Sequence, residues 1–288
     1  MTANHKQTLQ AALLSVLILV VLLAIWFAAT QPTASGTAKA MTAEEIEYQK
    51  MLGKDPAVAK VNNGFPTLTQ MGETIAANLA HPFYDNGPND KGIGIQLGHS
   101  LLRVGLGFGL AALIAIPLGF LIGMSPLMHR ALDPFIQVLK PISPLAWMPL
   151  ALYTIKDSSV SGIFVIFICS VWPMLLNTAF GVAGVRREWL NVAKTLEVTP
   201  LRKAFEVILP AAAPTIITGM RISMGIAWLV IVAAEMLVGG TGIGYFVWNE
   251  WNNLSLANVI FAILVIGVVG MVLDLLFAHL QKAVSYVD

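Results

Sequence analysis

Long apolar stretches separated by short polar ones dominate the chain. Leu9–Ala29 is an unbroken apolar run of about twenty residues, which is long enough for one membrane crossing at ~1.5 Å rise per residue. The pattern predicts an all-α polytopic membrane protein with six transmembrane helices. The other five predicted spans are Leu97–Met124, Ala131–Ile155, Val160–Val185, Thr215–Gly239 and Leu254–Leu280.

The basic residues predict an orientation with both termini in the cytoplasm. Short cytoplasmic loops are enriched in Lys and Arg, and Lys156 is the basic residue in the short loops on the opposite side. A cleaved signal peptide is the alternative for the first run. That run exceeds the ~7–15 residues of a signal-peptide apolar core, which favours an uncleaved anchor. The cytoplasmic basic positions are Lys6, His129, Arg130, the stretch 186–214 and Lys282.

Composition agrees with a membrane protein and removes several function classes. The chain is 57% hydrophobic and 11% charged, with a formal net charge of +1. Near-neutral charge without a basic tract argues against nucleic acid as a partner. The single cysteine, Cys169, excludes an intrachain disulfide, and the five histidines show no metal-ligand spacing. Phosphate-binding loops, nucleophile elbows and HExxH pairs are missing from the sequence, so we expect no cofactor, metal or catalytic site in this chain.

A polar segment, residues 31–96, follows the first apolar run. Thr42–Leu52 starts with a capping-box pattern, Thr42 and Glu45, and Thr67–Ala80 is a second candidate amphipathic helix. The Gly- and Pro-containing cluster at 86–90 predicts a turn before the next span. We interpret the segment as an outer flap or linker, or as a platform for an extracytoplasmic binding protein. The predicted division is an anchor (1–30), an extracytoplasmic segment (31–96) and a five-helix core (97–288).

The longest polar interruption in the second half is the stretch 186–214, RREWLNVAKTLEVTPLRKAFEVILPAAAP. Thr199-Pro200 predicts a helix restart, because threonine caps free N–H groups and proline is tolerated in the first turn. The pattern predicts a helix, a tight turn and a second helix on the cytoplasmic face, within 186–212. A solvated loop between two spans is the alternative. The apolar side of the stretch 186–214 consists of Leu190, Ala193, Leu196 and Val198.

This stretch resembles the EAA loop of bacterial ABC importer permeases, which docks into a cleft on the cytoplasmic ATPase. The family pattern is Glu-Ala-Ala, three residues, Gly, nine residues, an aliphatic residue, one residue and Leu-Pro. The chain keeps this spacing but has Glu197 at the glycine position, where glycine permits a positive φ that glutamate resists. Asn191 and Val192 also depart from the family residues. The resemblance assigns ATPase coupling to Asn191, Val192, Ala193, Lys194, Leu196, Glu197, Pro200, Leu209 and Pro210.

A wider resemblance, to permease subunits of nitrate/sulfonate/bicarbonate-type ABC importers, extends from about Leu97 to Lys282. It is carried by HSLLRVGLGFGLAALIAIPLGFLIG, LDPFIQVLKPISPLAWMPLALYTI and AWLVIVAAEMLVGGTGIGYFVW. Within that group the chain is most similar to nitrate permeases, through YDNGPNDKGIGIQLG and KPISPLAWMPLALYTIKDSS.

The resemblance implies a type I (MetI-like) permease core in the bacterial cytoplasmic membrane. It also implies a homodimer, two cytoplasmic ATPase subunits that carry ATP and Mg, and a periplasmic or lipid-anchored substrate-binding protein. The transported substrate would be a small inorganic anion, nitrate first, with nitrite and cyanate possible. Force would enter the membrane part through the helix Asn191–Glu197.

Polar residues inside the predicted spans are candidates for the translocation path, because an ionisable side chain is costly in a membrane unless it is paired or functional. The prolines of Ala131–Ile155 remove backbone hydrogen bonds, so this segment should face protein or a water-filled path. Lys140 within it is near enough to the cytoplasmic end to snorkel there instead. Arg103 could snorkel outward or pair internally. Glu235 would repel an anion unless it is paired or turned away, so it is expected to be structural. The path candidates are Arg103, Lys140, Ser143, Trp147, Asn177 and Glu235.

Two other classes of protein stay open. One is a non-transport membrane anchor of an enzyme complex, and the other is an ion-coupled secondary transporter with its own binding site. Neither needs a cytoplasmic amphipathic helix pair. Among importers, bicarbonate and alkyl-sulfonate permeases are the alternatives to a nitrate permease, because these substrates differ by few contacts and most selection is expected on the binding protein.

Overall fold

The structure, a computed structural model, describes residues 2–30, 65–87 and 90–284. The prediction of a capped helix at Thr42–Leu52 lies outside the described residues. Within them the chain is helical, with one isolated antiparallel β-bridge between Asp85 and Lys91. The α-helices are α1 Thr2–Thr30, α2 Leu68–Ala80, α3 Ile93–Met124, α4 Pro126–Leu139, α5 Met148–Ile155, α6 Ser158–Ala183, α7 Arg187–Thr195, α8 Pro200–Lys203, α9 Leu209–Val238, α10 Ile243–Asn252 and α11 Leu256–Val284.

Among the described residues, five helical segments are long and apolar enough to cross a membrane: Leu9–Thr30, Ile93–Met124, Ser158–Ala183, Pro200–Val238 and Leu256–Val284. The predicted third span, Ala131–Ile155, is not one straight helix. It is a pair, Pro126–Leu139 and Pro144–Ile155, bent by 84°, and counting the pair as one span gives six. The break falls at Pro141 and Pro144, because proline cannot donate the backbone hydrogen bond that would continue the helix.

The described residues form two compact units. The first comprises α1, α2 and Leu254–Phe261. In it, the Trp26 indole Nε1 donates to the carbonyl of Pro66 at 3.0 Å, and Asn78 Nδ2 donates to Asn258 Oδ1 at 3.0 Å. The second predicted amphipathic helix is confirmed as α2. Its N-terminus is closed by a reciprocal pair of side chain–backbone bonds between Thr67 and Gln70, which is the capping-box arrangement.

The second unit, His81–Asn253 with Ala262 onward, is built around α3, α6 and α9. Helix α3 approaches α6 through small residues. A Cβ at Gly107, Gly119 or Gly123 would overlap atoms of α6, whereas one at Gly105 or Gly109 would meet nothing. Glycine therefore allows the two backbones to approach closely along one face of α3.

Helices α6 and α9 hold the apolar core between them. The Ser223 hydroxyl in α9 donates to the carbonyl of Ser170 in α6 at 2.7 Å, which satisfies a buried polar group inside this contact. Helix α5, after the bend, packs on the same core and so fixes one end of the broken span. The buried members of this cluster are Met148, Ala151, Val165, Cys169, Val230 and Ala234.

Glu235 in α9 fastens the short helix α10 to α3. Its carboxylate is 4% exposed and accepts hydrogen bonds from Ser100 Oγ at 2.8 and 2.9 Å and from Arg103 Nη1 at 2.7 Å. It also accepts the Gly244 N–H at 3.0 Å. Gly244 lies in the first turn of α10, so the carboxylate meets the positive end of that helix.

The α3 side of this arrangement is a polar stripe. Gln96, Ser100 and Arg103 are spaced four and three residues apart, so they share one face of an otherwise apolar helix. The N–H groups of Gly242 and Ile243 donate to Gln96 Oε1 at 2.6 Å and to Ser100 Oγ at 2.9 Å. We call Gln96, Ser100, Arg103, Glu235 and the first N–H groups of α10 the Glu235 cluster.

The predicted helix, turn and helix restart between α6 and α9 are confirmed. Helix α7 ends in a left-handed residue, Glu197, with φ of 51°. The Val198 N–H donates to the carbonyl of Ala193 at 3.0 Å, and the Glu197 N–H donates to that of Lys194 at 3.1 Å. These are the two hydrogen bonds of a Schellman cap, whose left-handed position is usually glycine. Glutamate therefore adopts the conformation that the family glycine provides, and the turn geometry is retained.

After this cap the chain restarts at Pro200, the first residue of α8. A π-helical turn, Ala204–Ile208, then joins α8 to α9 without a break, so that Pro200–Val238 forms one long helical segment. We call residues 186–214 the coupling segment.

We predict that Glu197→Gly stabilises the protein by up to about 1 kcal/mol, because glycine adopts the left-handed conformation without the steric cost that a side chain imposes. The measurement is thermal unfolding of the purified full-length protein in detergent. Lys194→Gly is the matched control: it lies in the right-handed part of α7 and should destabilise by about 1 kcal/mol. Equal destabilisation by both substitutions would contradict the assignment of the cap.

Candidate functional site

A cavity of about 430 Å³ lies between the broken span, α6 and α9. Lys140 follows α4 at the bend, Trp147 ends the turn before α5, and Asn177 comes from α6. The structure thus brings three of the predicted path candidates to one cavity. Most of the remaining wall is apolar: Ile142, Pro144, Ile168, Cys169, Trp172, Pro173, Leu176, Ile222 and Ile226.

The polar groups of this cavity are of the donor type. Lys140 supplies an ammonium group, and Trp147 and Trp172 each carry an indole N–H. The Asn177 amide donates to the carbonyl of Pro173 at 2.8 Å, which holds its side chain against the preceding turn of α6. As far as the described residues line it, the cavity contains no carboxylate. Its electrostatic character therefore favours an anion over a cation.

The other path candidates lie elsewhere. Ser143 is exposed at the bend and is not among the residues lining the cavity. Arg103 and Glu235 form a salt bridge at 2.7 Å within the Glu235 cluster. Arg103 also donates from Nη1 to the carbonyl of Thr241 at 2.6 Å and from Nε to Ser159 Oγ at 2.9 Å. Of the two alternatives for Arg103, the structure has the internal partner, and Glu235 is paired.

Sequence reasoning missed several polar participants. Gln96 and Ser100 were not singled out, although a polar stripe at helical spacing within an apolar span was a usable signal. Trp172 was not singled out as a cavity residue. Arg221 and Asp274 lie inside spans and form an ion pair, which the sequence does not reveal because they are far apart along the chain. Within the described part of the chain, no group of three His, Cys, Asp or Glu side chains is arranged to hold a metal ion.

Two side chains in the turn before α3, outside the membrane spans, have shifted pKa values. Lys91 Nζ donates to Asp85 Oδ2 at 3.0 Å across the β-bridge and holds the pKa of Asp85 below its ordinary value. Burial raises the pKa of Tyr84 to about 12, and the nearby carboxylates of Asp90 and Glu250 add to that increase. Tyr84 therefore stays protonated at neutral pH and acts as a hydrogen-bond donor at the start of α3.

The coupling segment has one buried face and one exposed face. Ala193 is 4% exposed, and Leu190 packs against the core cluster that joins the ends of α6 and α9 through Val185 and Ile208. Val192 and Leu196 are 58% and 70% exposed. Leu196 therefore does not share the buried position of Ala193, although the sequence put both on one apolar side.

The exposed face is apolar and follows helical spacing. Trp189, Val192 and Leu196 are three and four residues apart, so they point the same way from α7. The Arg186 guanidinium lies 5.5 Å from the centre of the Trp189 ring. Asn191 and Lys194 are also exposed, whereas Leu209 and Pro210 are half-buried at the start of α9. Exposed large apolar side chains in a regular row are typical of a contact surface.

Comparison with known proteins identifies the family. Residues 115–286 match the family described as binding-protein-dependent transport system inner membrane component. The nitrate import permease protein NrtB of Synechocystis sp. is 45% identical over 222 residues, 77% of this chain and 81% of that protein. The bicarbonate transport system permease protein CmpB of the same organism is 44% identical, over 72% of this chain and 74% of that protein.

A solved structure has the same fold. The inward-facing MetNI methionine ABC transporter matches with a TM-score of 0.60 and 12% sequence identity, over 67% of this chain and 96% of that chain. The predicted all-α membrane fold with a MetI-like core is thereby confirmed. The relatives are transport subunits and not enzymes. The chain therefore belongs to the family of binding-protein-dependent inner membrane components and is a multi-pass permease subunit of an ABC importer, most like nitrate permeases.

Proposed function

We propose that two copies of this chain form the membrane path of an ATP-driven importer for a small inorganic anion, with nitrate as the substrate. The observation that carries the anion class is the cavity with Lys140 as its cation and no carboxylate among the described lining residues. The 45% identity with a nitrate permease supports nitrate, and the 44% identity with a bicarbonate permease keeps bicarbonate as the alternative, with alkyl sulfonates beyond it.

The path would need only weak binding. Capture belongs to an extracytoplasmic or lipid-anchored binding protein, so the membrane part has to supply donors and a mild positive potential. Lys140, Trp147 and Asn177 meet that requirement at the bend of the broken span. The bend itself supports a role in the path, because backbone groups freed by proline are tolerated at membrane depth where they meet protein or water.

The coupling segment would transmit the motion of two ATPase subunits that carry ATP and Mg. Its Schellman cap and its packing through Ala193 and Leu190 make α7 a short rigid body attached to the ends of α6 and α9. The exposed row of Trp189, Val192 and Leu196 would face the ATPase. We place this segment and both termini in the cytoplasm of a bacterial cell, because the basic residues of the short loops favour that orientation.

The domain assignment follows from the same topology. Residues 1–30 would be an anchor, residues 31–96 would lie outside the cytoplasmic membrane, and residues 97–288 would form the permease core. An outer platform at 31–96 would meet the binding protein.

The proposed substrate is tested by uptake competition. A strain that lacks this chain should regain uptake of isotope-labelled nitrate when the full chain is supplied, and ATP depletion should abolish that uptake while a proton gradient persists. Unlabelled nitrate should compete more strongly than bicarbonate or an alkyl sulfonate. Uptake that follows the proton gradient instead would identify a secondary transporter, and restored enzyme activity without uptake would identify a membrane anchor.

Coupling is tested on both faces of α7. We expect Val192→Asp, on the exposed face, to reduce ATPase retention and nitrate uptake at least about tenfold, because a charge at the centre of an apolar contact typically costs more than 1.4 kcal/mol. Ala193→Asp, on the buried face, should uncouple ATP hydrolysis from uptake by loosening the segment. Co-purification of the ATPase subunits, ATPase rate and uptake are measured with equal amounts of chain in the membrane. Wild-type uptake in both variants would contradict the coupling role.

The cation of the cavity is tested by Lys140→Met, which keeps the length of the side chain and removes its charge. We expect nitrate uptake to fall several-fold, by roughly 1 kcal/mol of lost anion attraction. ATPase stimulation should be retained. Lys156→Met is the control, since it removes a lysine outside the cavity, at the turn before α6. Unchanged uptake in Lys140→Met with normal ATPase stimulation would remove Lys140 from the path.

A further inference from the structure

Arg221 is a further cation inside the spans, and it forms an ion pair between α9 and α11. Arg221 Nε donates to Asp274 Oδ1 at 2.6 Å, and Arg221 Nη2 donates to Asp274 Oδ2 at 2.6 Å. This fork-to-fork geometry is the one that arginine also uses with other planar oxyanions. The third guanidinium nitrogen, Nη1, donates to no acceptor within the described chain, so Arg221 keeps donor capacity for a further oxygen.

The depth of the pair argues against a lipid-facing position. Asp274 lies about 15 Å along α11 from its Val284 end and about 27 Å from its Leu256 end, at ~1.5 Å per residue. At about 43 Å, α11 exceeds the ~30 Å hydrocarbon core by about 7 Å at each end when it is centred in the bilayer, which puts Asp274 inside the hydrocarbon region. Yet the side chains of Arg221 and Asp274 are 37% and 53% exposed on the single chain. Exposed ionised groups at this depth face protein or water.

The exposed side of the ion pair adjoins an open face of α9. Ile222, Gly225 and Leu229 form an open face of α9, and a Cβ at Gly225 would meet nothing within 4 Å. Arg221 flanks this face on one side. Ile226 flanks it on the other side and, together with Ile222, forms part of the wall of the Lys140 cavity. One open helix face therefore has a cation on each side of it.

The contact between α9 and α11 does not depend on the ion pair alone. The Trp228 indole Nε1 donates to the carbonyl of Ile266 at 3.0 Å, and Gln281 Nε2 donates to Thr218 Oγ1 at 3.0 Å. These bonds lie on either side of the ion pair along both helices. The ion pair is therefore one of several polar links between α9 and α11.

We propose that Arg221 is a second oxyanion-binding residue of the path, with Asp274 as its competing internal anion. An arriving oxyanion takes hydrogen bonds from the Arg221 guanidinium as Asp274 is displaced, and the return of Asp274 releases it again. The carboxylate thus prevents tight retention, which a path requires. The inference rests on the proposed function, in which the open face of α9 adjoins the space between two copies.

The test removes both charges together. Arg221→Met combined with Asp274→Leu replaces the ion pair by apolar side chains of similar size, a change that ion pairs away from water often tolerate without loss of stability. A structural role predicts wild-type nitrate uptake for this double variant. The proposed role predicts a fall of about tenfold, the equivalent of one lost charge-assisted hydrogen bond, with normal membrane insertion and ATPase stimulation. Wild-type uptake would overturn the proposal.

A single variant tests whether Asp274 limits how long nitrate stays bound to Arg221. Asp274→Asn leaves the guanidinium without its competing anion, so nitrate should be held longer. We expect the maximal uptake rate to fall and the half-saturating nitrate concentration to fall with it. A fall in rate without a fall in half-saturation would overturn the role of Asp274.

Water access is tested independently by Gly225→Cys, which adds a small side chain in open space and removes no charge. A charged, membrane-impermeant thiol reagent should label it, and excess nitrate should slow the labelling. The variant is made in a Cys169→Ala background, because Cys169 lines the Lys140 cavity, and that background without Gly225→Cys is the control. Failure to label would place the face in lipid or in a dry contact and overturn the proposal.

The experiments distinguish rejection of the Arg221 proposal from rejection of the proposed function. Normal uptake by the double variant, together with the loss caused by Lys140→Met and by ATP depletion, would reject Arg221 alone. Uptake by the unmodified chain that needs no ATP would reject the importer itself.

Discussion

A buried carboxylate organises the permease core. Glu235 is surrounded by protein and is acceptable there because hydroxyl and guanidinium donors from α3 and a backbone N–H donor from α10 converge on it. If the carboxylate were removed, the buried Gly244 N–H would lose its acceptor and Arg103 would lose its counter-charge. Helix α3, the start of α6 through Ser159, and α10 are therefore mutually positioned by one charge. The glycines at Gly242 and Gly244 belong to the same constraint, since a Cβ at either would overlap Glu235 or the backbone of Val232.

The fold was largely predictable from the sequence because membrane physics leaves few choices. Apolar runs of sufficient length have to be helices in lipid, and α1, α3, α6, α9 and α11 follow the predicted runs closely. The restart at Pro200 and the approach of α3 through glycine were readable for the same reason: both depend on local residue chemistry. The bend in the broken span was the main structural surprise, although prolines at 141 and 144 were its visible cause.

The site was less predictable because it depends on distances along the chain that no local pattern encodes. Lys140, Trp147 and Asn177 were selected singly and converge only when α6 folds against the bend. Ser143, next to them in sequence, does not line the cavity. Arg103 and Glu235 were recognised as costly charges, but their pairing joins residues 132 positions apart. The Arg221–Asp274 pair spans 53 positions and needed the geometry of α9 and α11 to be seen.

The left-handed residue at the end of α7 has a consequence for how such segments are recognised. Two backbone hydrogen bonds impose the reversal of chain direction there, and neither involves a side chain. A residue other than glycine at position 197 therefore costs only a small conformational penalty, and the direction of the helix axis stays the same. The conserved property would then be a direction in space and not an amino acid. A search for proteins of this kind would do better to look for a helix that ends in this cap between two long spans than for the letters of its sequence motif.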